Sequence, residues 1–276
     1  MSGSSFGTLF KISTFGESHG KGVGVIIDGV TPGIEIDEAE IQFQLNRRKP
    51  GQSDITTPRK ESDQIHILSG VFEGKTTGTP MGLILYNEDQ KSSDYNAIKD
   101  LFRPGHADFT YLQKYGIRDH KGSGRASGRE TAARVAAGAV AMKILKEKGV
   151  QITAYTIKAA GISCEDRDLA VIEKNKMRAC DSQAAEKMEQ KIRALAEEGD
   201  SAGGIIECIA TGVAPGLGEP VFEKIDAELA RAVMSLGAVK AVEFGAGFAC
   251  VDMKGSEHND SMDSRGFKTN NAGGMI

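Results

Sequence analysis

Residues 22–30, Gly-Val-Gly-Val-Ile-Ile-Asp-Gly-Val, form a short apolar run that ends in Thr31-Pro32-Gly33, which predicts a strand closed by a turn. Asp37 followed three residues later by Glu40 is a helix-start signature. The helix it opens carries Ile41 and Leu45 on one side and stops at Arg47-Arg48-Lys49, before Pro50-Gly51. Residues 64–74 and 80–86 read as strands. Ser127 and Glu130 are spaced as a capping box in front of a helix that runs to Lys148, before Gly149. Ala132, Ala133, Ala136, Ala137, Gly138, Ala139 and Ala141 leave that helix small on nearly every side, the pattern of a buried helix with close neighbours. An amphipathic helix over about 183–198 places Met188, Ile192 and Leu195 on one face. A further helix over about 223–235 does the same with Ile225, Leu229 and Val233.

The chain also echoes itself. Gly29-Val30-Thr31-Pro32-Gly33 follows a strand and precedes a helix, as does Gly212-Val213-Ala214-Pro215-Gly216. Two related halves are expected, about 1–150 and 151–276, sharing one core as a single domain. The second half has no counterpart of the alanine-rich helix and ends on the glycine-rich Asn270-Asn271-Ala272-Gly273-Gly274, so it is expected to be incomplete at its C-terminus.

Composition narrows the class. With 34 Lys+Arg against 38 Asp+Glu in 276 residues, the net charge is -4, which argues against non-specific nucleic-acid binding. No apolar run approaches the ~20 residues of a membrane-spanning helix. The first residues lack the pattern of a signal peptide. A cytoplasmic globular protein is expected. Cys164, Cys180, Cys208 and Cys250 are widely spaced and read as small buried apolar residues. The five histidines show no metal-ligand spacing, so no metal site is expected. Glycine, at 34 residues, is in excess and clusters beside His, Arg, Ser and Thr, as in loops that approach a ligand closely.

Four such loops carry candidate chemistry, three of them cationic. His19 lies in Gly16-Glu17-Ser18-His19-Gly20, and His106 in Arg103-Pro104-Gly105-His106-Ala107-Asp108. A histidine in such a loop can meet a ligand and trade protons near neutral pH, although either one alone is ordinarily a surface residue. His66 sits in a strand pattern and reads as structural. The loop Lys121-Gly122-Ser123-Gly124-Arg125-Ala126-Ser127-Gly128-Arg129-Glu130 runs into a helix start, where free N–H groups favour an anion and Arg125 and Arg129 add forked donors. It is neither a Walker loop nor a dinucleotide fingerprint, and a solvated basic helix start is the plainer alternative. Residues 46–60 form a third cationic loop. Cations gathered in glycine-rich loops of an acidic protein point to a small polyanion: a phosphate ester, a carboxylate or a nucleotide-like cofactor.

Together these segments resemble the chorismate synthase family. Gly16–Gly20, Arg103–Asp108 and Gly124–Thr131 match its signatures, supported by Leu68–Gly78, Ala238-Val239-Lys240 and Val242–Gly245. The resemblance spans residues 6–276. It implies an α+β fold, a β-α-β sandwich with helices between two antiparallel sheets and an approximate internal two-fold repeat. It implies a lyase that converts 5-enolpyruvylshikimate-3-phosphate to chorismate and phosphate by 1,4-anti elimination. The step involves no net redox change but requires reduced FMN, which is thought to lend an electron transiently. NADPH reduces the flavin in bifunctional members, and the enzymes are homotetramers.

Carried over by position, His19 and His106 would act as acids near the leaving phosphate and flavin. Arg125, Ala126 and Ser127 would bind FMN, as would Gly237 and Ala238. Arg48, Arg103 and Arg129 would bind substrate, with Arg48 also at the NADPH position. Asp54 stands where the family carries a basic residue, and its charge argues against NADPH use. Ala126 and Gly128 replace the family's usual Ser and Ala. Family chains also run on past Asn-Asn-Ala-Gly-Gly, with further FMN contacts. A catalytically incompetent FMN- or anion-binding fragment is therefore the alternative, and a histidine-dependent phosphohydrolase a distant third.

Overall fold

The computed structural model describes residues 3–53, 55–56, 59–88 and 99–274. Asp54 lies outside them, as do Thr57 and Pro58 of the third cationic loop and Met275-Ile276. The chain divides into two compact units, Met1–Val213 and Ala214–Ile276.

In the first unit, β1 (Ser5–Phe6), β2 (Lys11–Gly16), β3 (Gly22–Asp28), α1 (Glu38–Arg48) and β4 (Ile65–Ile67) are followed by a small hairpin of β5 (Val71–Phe72) and β6 (Lys75–Thr76), then by β7 (Met81–Tyr86). A five-stranded sheet has the order β1-β2-β3-β7-β4, antiparallel at every pair. The period of two in β3 sets its faces: Val23, Val25 and Ile27 are fully buried while Ile26 is exposed. The sequence pattern over 64–74 does not continue as one strand. The chain turns at Gly70, whose φ of 84° and 2.8 Å approach of an added Cβ to Met81 Cα leave room for glycine alone.

After α2 (Asp108–Tyr115), the alanine-rich α3 (Thr131–Glu147) packs on α1 and on β2, β3 and β7. Ala132, Ala133, Ala136, Ala137 and Val140 form its buried stripe, facing Ile41 and Leu45 of α1. Burying two such aliphatic side chains contributes about 1.5–3 kcal/mol each. The opposite side of α3 is not covered: Met142 is exposed and Gly138 faces open space. Small residues all round therefore do not bury this helix all round; they serve one close contact. At α1 the predicted start is present, with Asp37 Oδ1 accepting from Glu40 N at 2.8 Å.

Strands β8 (Gln151–Ala159), β9 (Ile162–Ser163) and β10 (Gly204–Thr211) form a second antiparallel sheet of order β10-β8-β9. Helix α3 also touches β8, the strand that follows it in the chain. Helix α4 (Ser182–Glu197), capped by Asp181 and packed on β9, closes a second core of Tyr155, Ala159, Cys164, Ile172, Cys180 and Met188. Cys164 and Cys180 are buried as expected, and burial pushes the Cys164 thiol up to about 11. Cys208 and Cys250 are exposed, against the sequence reading.

The second unit holds α5 (Ile225–Met234), α6 (Gly255–His258) and a hairpin of β11 (Met262–Asp263) and β12 (Gly266–Phe267). No residue of α5 is buried, so the apolar face predicted for it is uncovered. Asp260 accepts from Thr269 Oγ1 (2.7 Å), Asn271 N (2.6 Å) and Ala272 N (2.9 Å), which ties down the glycine-rich Asn270–Gly274 loop.

The echo has a backbone counterpart. Gly29 and Gly33 have φ of 79° and 86°, and Gly212 and Gly216 have 73° and 93°. A Cβ on Gly29 would lie 1.7 Å from Leu9 O, and one on Gly212 would lie 2.2 Å from Gly149 O. Both turns leave a strand by the same left-handed step, against a neighbouring carbonyl, before a helix.

Candidate active site

His19 sits on the turn between β2 and β3, closed by Gly20 N donating to Glu17 O at 3.2 Å. Ser18 is buried, and its Oγ donates to Gly122 O at 2.8 Å, joining this turn to the glycine-rich loop. Gly122 has φ of 65°, and a Cβ there would stand 2.0 Å from His19 Cδ2. Gly122→Ala must therefore strain the backbone and displace the imidazole. Turnover is expected to fall by on the order of 10–100-fold, because misplacement of a reacting group by about 1 Å costs that much. Steady-state kinetics on the folded variant check this, and wild-type kcat would show that His19 needs no fixed seat.

A chain of alternating charges runs inward from the same turn. Arg59 Nη2 donates to Ser18 O at 2.9 Å, and its Nε donates to Glu61 Oε1 at 2.8 Å. Glu61 Oε2 accepts from Glu88 N at 2.9 Å and faces Arg129 Nη2 at 3.9 Å. Arg129 pairs through Nη1 with Asp63 Oδ1, and Asp63 Oδ2 accepts from Arg48 Nη1 at 3.0 Å. Arg48 completes its set through Nε to Thr131 Oγ1 (3.2 Å) and Nη2 to Gly128 O (2.9 Å). Burial lowers the Arg48 pKa, and Asp63 opposes that shift. Three guanidinium groups thus share two fully buried carboxylates, an excess of positive charge at low dielectric. Arg129 Nη2 is itself buried and donates to nothing among the described residues.

The segment of His106 is organised around Asp108. Arg103 forks onto it, with Nε to Oδ2 and Nη2 to Oδ1 both at 2.9 Å, and Arg118 Nη1 adds a contact at 3.1 Å. Arg103 Nη2 also donates to Ser123 Oγ at 2.7 Å, in the glycine-rich loop. Hydrogen bonds from Arg103 hold the Asp108 carboxyl well below the usual carboxylate range. A depressed carboxylate contributes stability that is fully present above its unfolded pKa and is lost as pH falls through the folded value. Urea denaturation of Asp108→Asn should therefore show a constant loss of stability from pH 5 to 8 that shrinks below about pH 4. A loss independent of pH down to 2 would exclude the ionic role.

His106 itself is exposed, with Nδ1 3.0 Å from Pro104 O. A carbonyl only accepts, so Nδ1 carries the hydrogen of this contact and Nε2 faces away from it.

The glycine-rich loop differs from its expected form. Gly124–Ala126 and Gly128–Glu130 are two short 3-10 turns, and α3 begins only at Thr131. The predicted capping box is absent. Ser127 Oγ accepts from Arg129 N at 3.3 Å, while the Glu130 carboxylate accepts from Arg134 Nε at 2.9 Å instead of turning back. Charge attraction one turn along the helix outcompetes the local cap. Arg125 turns inward, donating to Gly16 O (3.1 Å) and Thr14 Oγ1 (2.6 Å), so its fork anchors β2. Ala126 is exposed. His66 lies in β4 with its ring 5.5 Å from that of Tyr86, a packing position. In the second unit, Gly237 faces open space and Ala238 adopts a φ of 69°.

Arg48 and Arg129 thus share Asp63, while the turn of His19 and the Arg103 side chain each meet the glycine-rich loop, at Gly122 and Ser123. Sequence reading did not single out Arg59, Glu61, Asp63, Asn87, Asp108 or Ser123. The alternation Arg59-Lys60-Glu61-Ser62-Asp63 outside any periodic element was the available signal. Among the described residues, no group of three or more His, Cys, Asp or Glu side chains is arranged to hold a metal ion.

Comparison with known proteins bears directly on this arrangement. The family model described as chorismate synthase matches residues 10–276. The chain belongs to the chorismate synthase family. A chorismate synthase from Desulfatibacillum aliphaticivorans is 53% identical over 276 residues, which cover 100% of this chain and 77% of that protein. One from Lachnospira eligens is 54% identical over 282 residues, with the same coverage. A crystal structure of a chorismate synthase superposes with a TM-score of 0.81 at 31% identity, over 98% of this chain and 80% of that one. The chorismate synthase fold accounts for the mixed α and β layers described above, and membership makes the chain one of a family of lyases.

Proposed function

We propose that this chain catalyses the 1,4-anti elimination of phosphate from 5-enolpyruvylshikimate-3-phosphate to give chorismate, with reduced FMN as cofactor. The observation that carries the reading is the arginine network beside His19, with three guanidinium groups on two buried carboxylates and an Arg129 Nη2 that donates to nothing among the described residues. Such a set suits a polyanion: a phosphate or carboxylate oxygen would complete the donor left without a hydrogen bond among the described residues. Arg48, Arg103 and Arg129 bind and orient the anionic groups of the substrate, and Asp63 and Asp108 keep their guanidinium planes fixed. His106 Nε2 and His19 hold protons for the departing phosphate and for the reduced ring system, where an imidazolium offsets growing negative charge.

Arg125, Ala126 and Ser127 in the first unit, and Gly237 and Ala238 in the second, are the proposed flavin-binding segments. Bound reduced FMN supplies a transiently available electron. NADPH as the reductant of that flavin, at Arg48, is the finer part of the reading. A homotetramer in the cytoplasm, without nucleic-acid or membrane partners, completes it. Among the described residues, no helix is long and apolar enough to cross a membrane.

The test is anaerobic release of phosphate from the substrate. Release that requires reduced FMN supports the reading. Release without flavin would point to a phosphohydrolase instead. Loss of NADPH absorbance in the presence of oxidised FMN tests the reductase part separately, and light scattering tests the tetramer.

A further inference from the structure

We propose that Asn87 is a positioning residue that ties the turn bearing His19 to the Arg129 guanidinium, so that one side chain sets both the proton-carrying group and the anion site. The assignment rests on the roles proposed above for His19 and Arg129.

Asn87 directly follows β7, with its backbone N donating to Lys21 O at 3.1 Å. Its amide group is engaged at both ends. Oδ1 accepts from Arg129 Nε at 2.9 Å. Nδ2 donates to Glu17 O at 3.0 Å and to Gly20 O at 2.8 Å, the first and last carbonyls of the His19 turn. One acceptor and two donors on a single short planar group is what an amide offers and a carboxylate or hydroxyl does not. A carboxylate at this position would hold Arg129 but meet two carbonyl oxygens with no hydrogen to give. An alanine would leave three groups without this partner.

The remaining contacts give Asn87 a distinct share of the work. Asp63 and Glu61 face the two terminal nitrogens of Arg129, and Asn87 takes the third, Nε, on the stem side, so it is the contact that joins the guanidinium plane to the His19 turn. Ser18 and Arg59 hold the His19 turn from the side of the glycine-rich loop and the charged chain. Asn87 holds it from the strand side. Movement of either functional group without the other would break a hydrogen bond at this amide.

The test uses the full chain with Asn87→Asp and Asn87→Ala, each with histidine labelled in the ring for NMR. The His19 resonance is assigned through His19→Gln. In both variants the His19 ring resonance is expected to shift in position and in titration midpoint while that of His66 stays. In both, kcat is expected to fall at least tenfold with unchanged circular dichroism. Should either variant fail to fold, Asn87→Gln carries the same test, because an amide displaced by one methylene must also move the His19 resonance. A folded Asn87→Asp with its His19 resonance unmoved would overturn the proposal, whatever its activity, since an ordinary structural amide would behave in that way. A wild-type chain without turnover would count against the proposed reaction, and the His19 resonance would still decide the role of Asn87.

Discussion

His106→Ala is expected to lower kcat by about 10²–10⁴-fold while KM changes by no more than about threefold, because general acid catalysis contributes on that scale and an exposed imidazole contributes little to binding. The structure makes this a clean substitution. His106 is exposed, lies just outside α2, and makes its ring contact with Pro104 O within its own loop. Nothing in either core depends on it. Circular dichroism and thermal midpoint should stay at wild-type values, so a fall in rate cannot be assigned to unfolding. His106→Gln, which keeps a hydrogen-bond donor but carries no titratable proton, should be nearly as slow. Equal losses in kcat and in substrate affinity, or ordinary turnover, would remove His106 from the proton path.

Asp63→Ala is expected to be the most destabilising single change at the site. It deletes the carboxylate that separates Arg48 from Arg129 and leaves a buried and a half-buried cation facing each other. Breaking a buried ion pair from one side costs about 3–5 kcal/mol. For a chain of this size that corresponds to a fall in Tm on the order of 10 °C. Asp63 also holds a φ of 49°, tolerable for Asp or Asn and strained for alanine, which adds to the loss. Thermal unfolding followed by circular dichroism checks this. Asp63→Asn separates the two causes: it keeps the backbone preference and loses the charge, so it should recover only the smaller, conformational part. A drop of less than about 2 °C for Asp63→Ala would mean that solvent already neutralises the two arginines.

Much of the scaffold was legible in the sequence because it rests on local rules. The Asp37 cap, the Ile41–Leu45 face of α1 and the strand over 22–30 follow from periodicity, apolar runs and hydrogen-bond capacity within a few residues. The histidine and arginine loops were legible as groups for the same reason: glycine beside a charged residue marks a backbone that must come close to something. Partnership across long separations was not legible. Arg48 and Asp63 are fifteen residues apart, and Arg129 and Asp63 are sixty-six apart. No period or local motif encodes such a pairing. Competition between partners was also invisible: Ser127-x-x-Glu130 has the spacing of a capping box, yet Arg134 takes the carboxylate. The single strand expected over 64–74 failed because a left-handed corner at Gly70 breaks it.

The paired strand-exit turns bear on how this chain can drift in sequence. At Gly29 and Gly212 a side chain of any kind would run into a neighbouring carbonyl, so these two positions have no alternative residue. At Gly33 and Gly216 an added Cβ meets nothing, and only the sign of φ resists change, which asparagine tolerates. Each turn thus joins a locked glycine to a negotiable one in the same order. A saturation library should print the same two-step signature at both places, one column admitting glycine alone and the fourth column after it admitting asparagine.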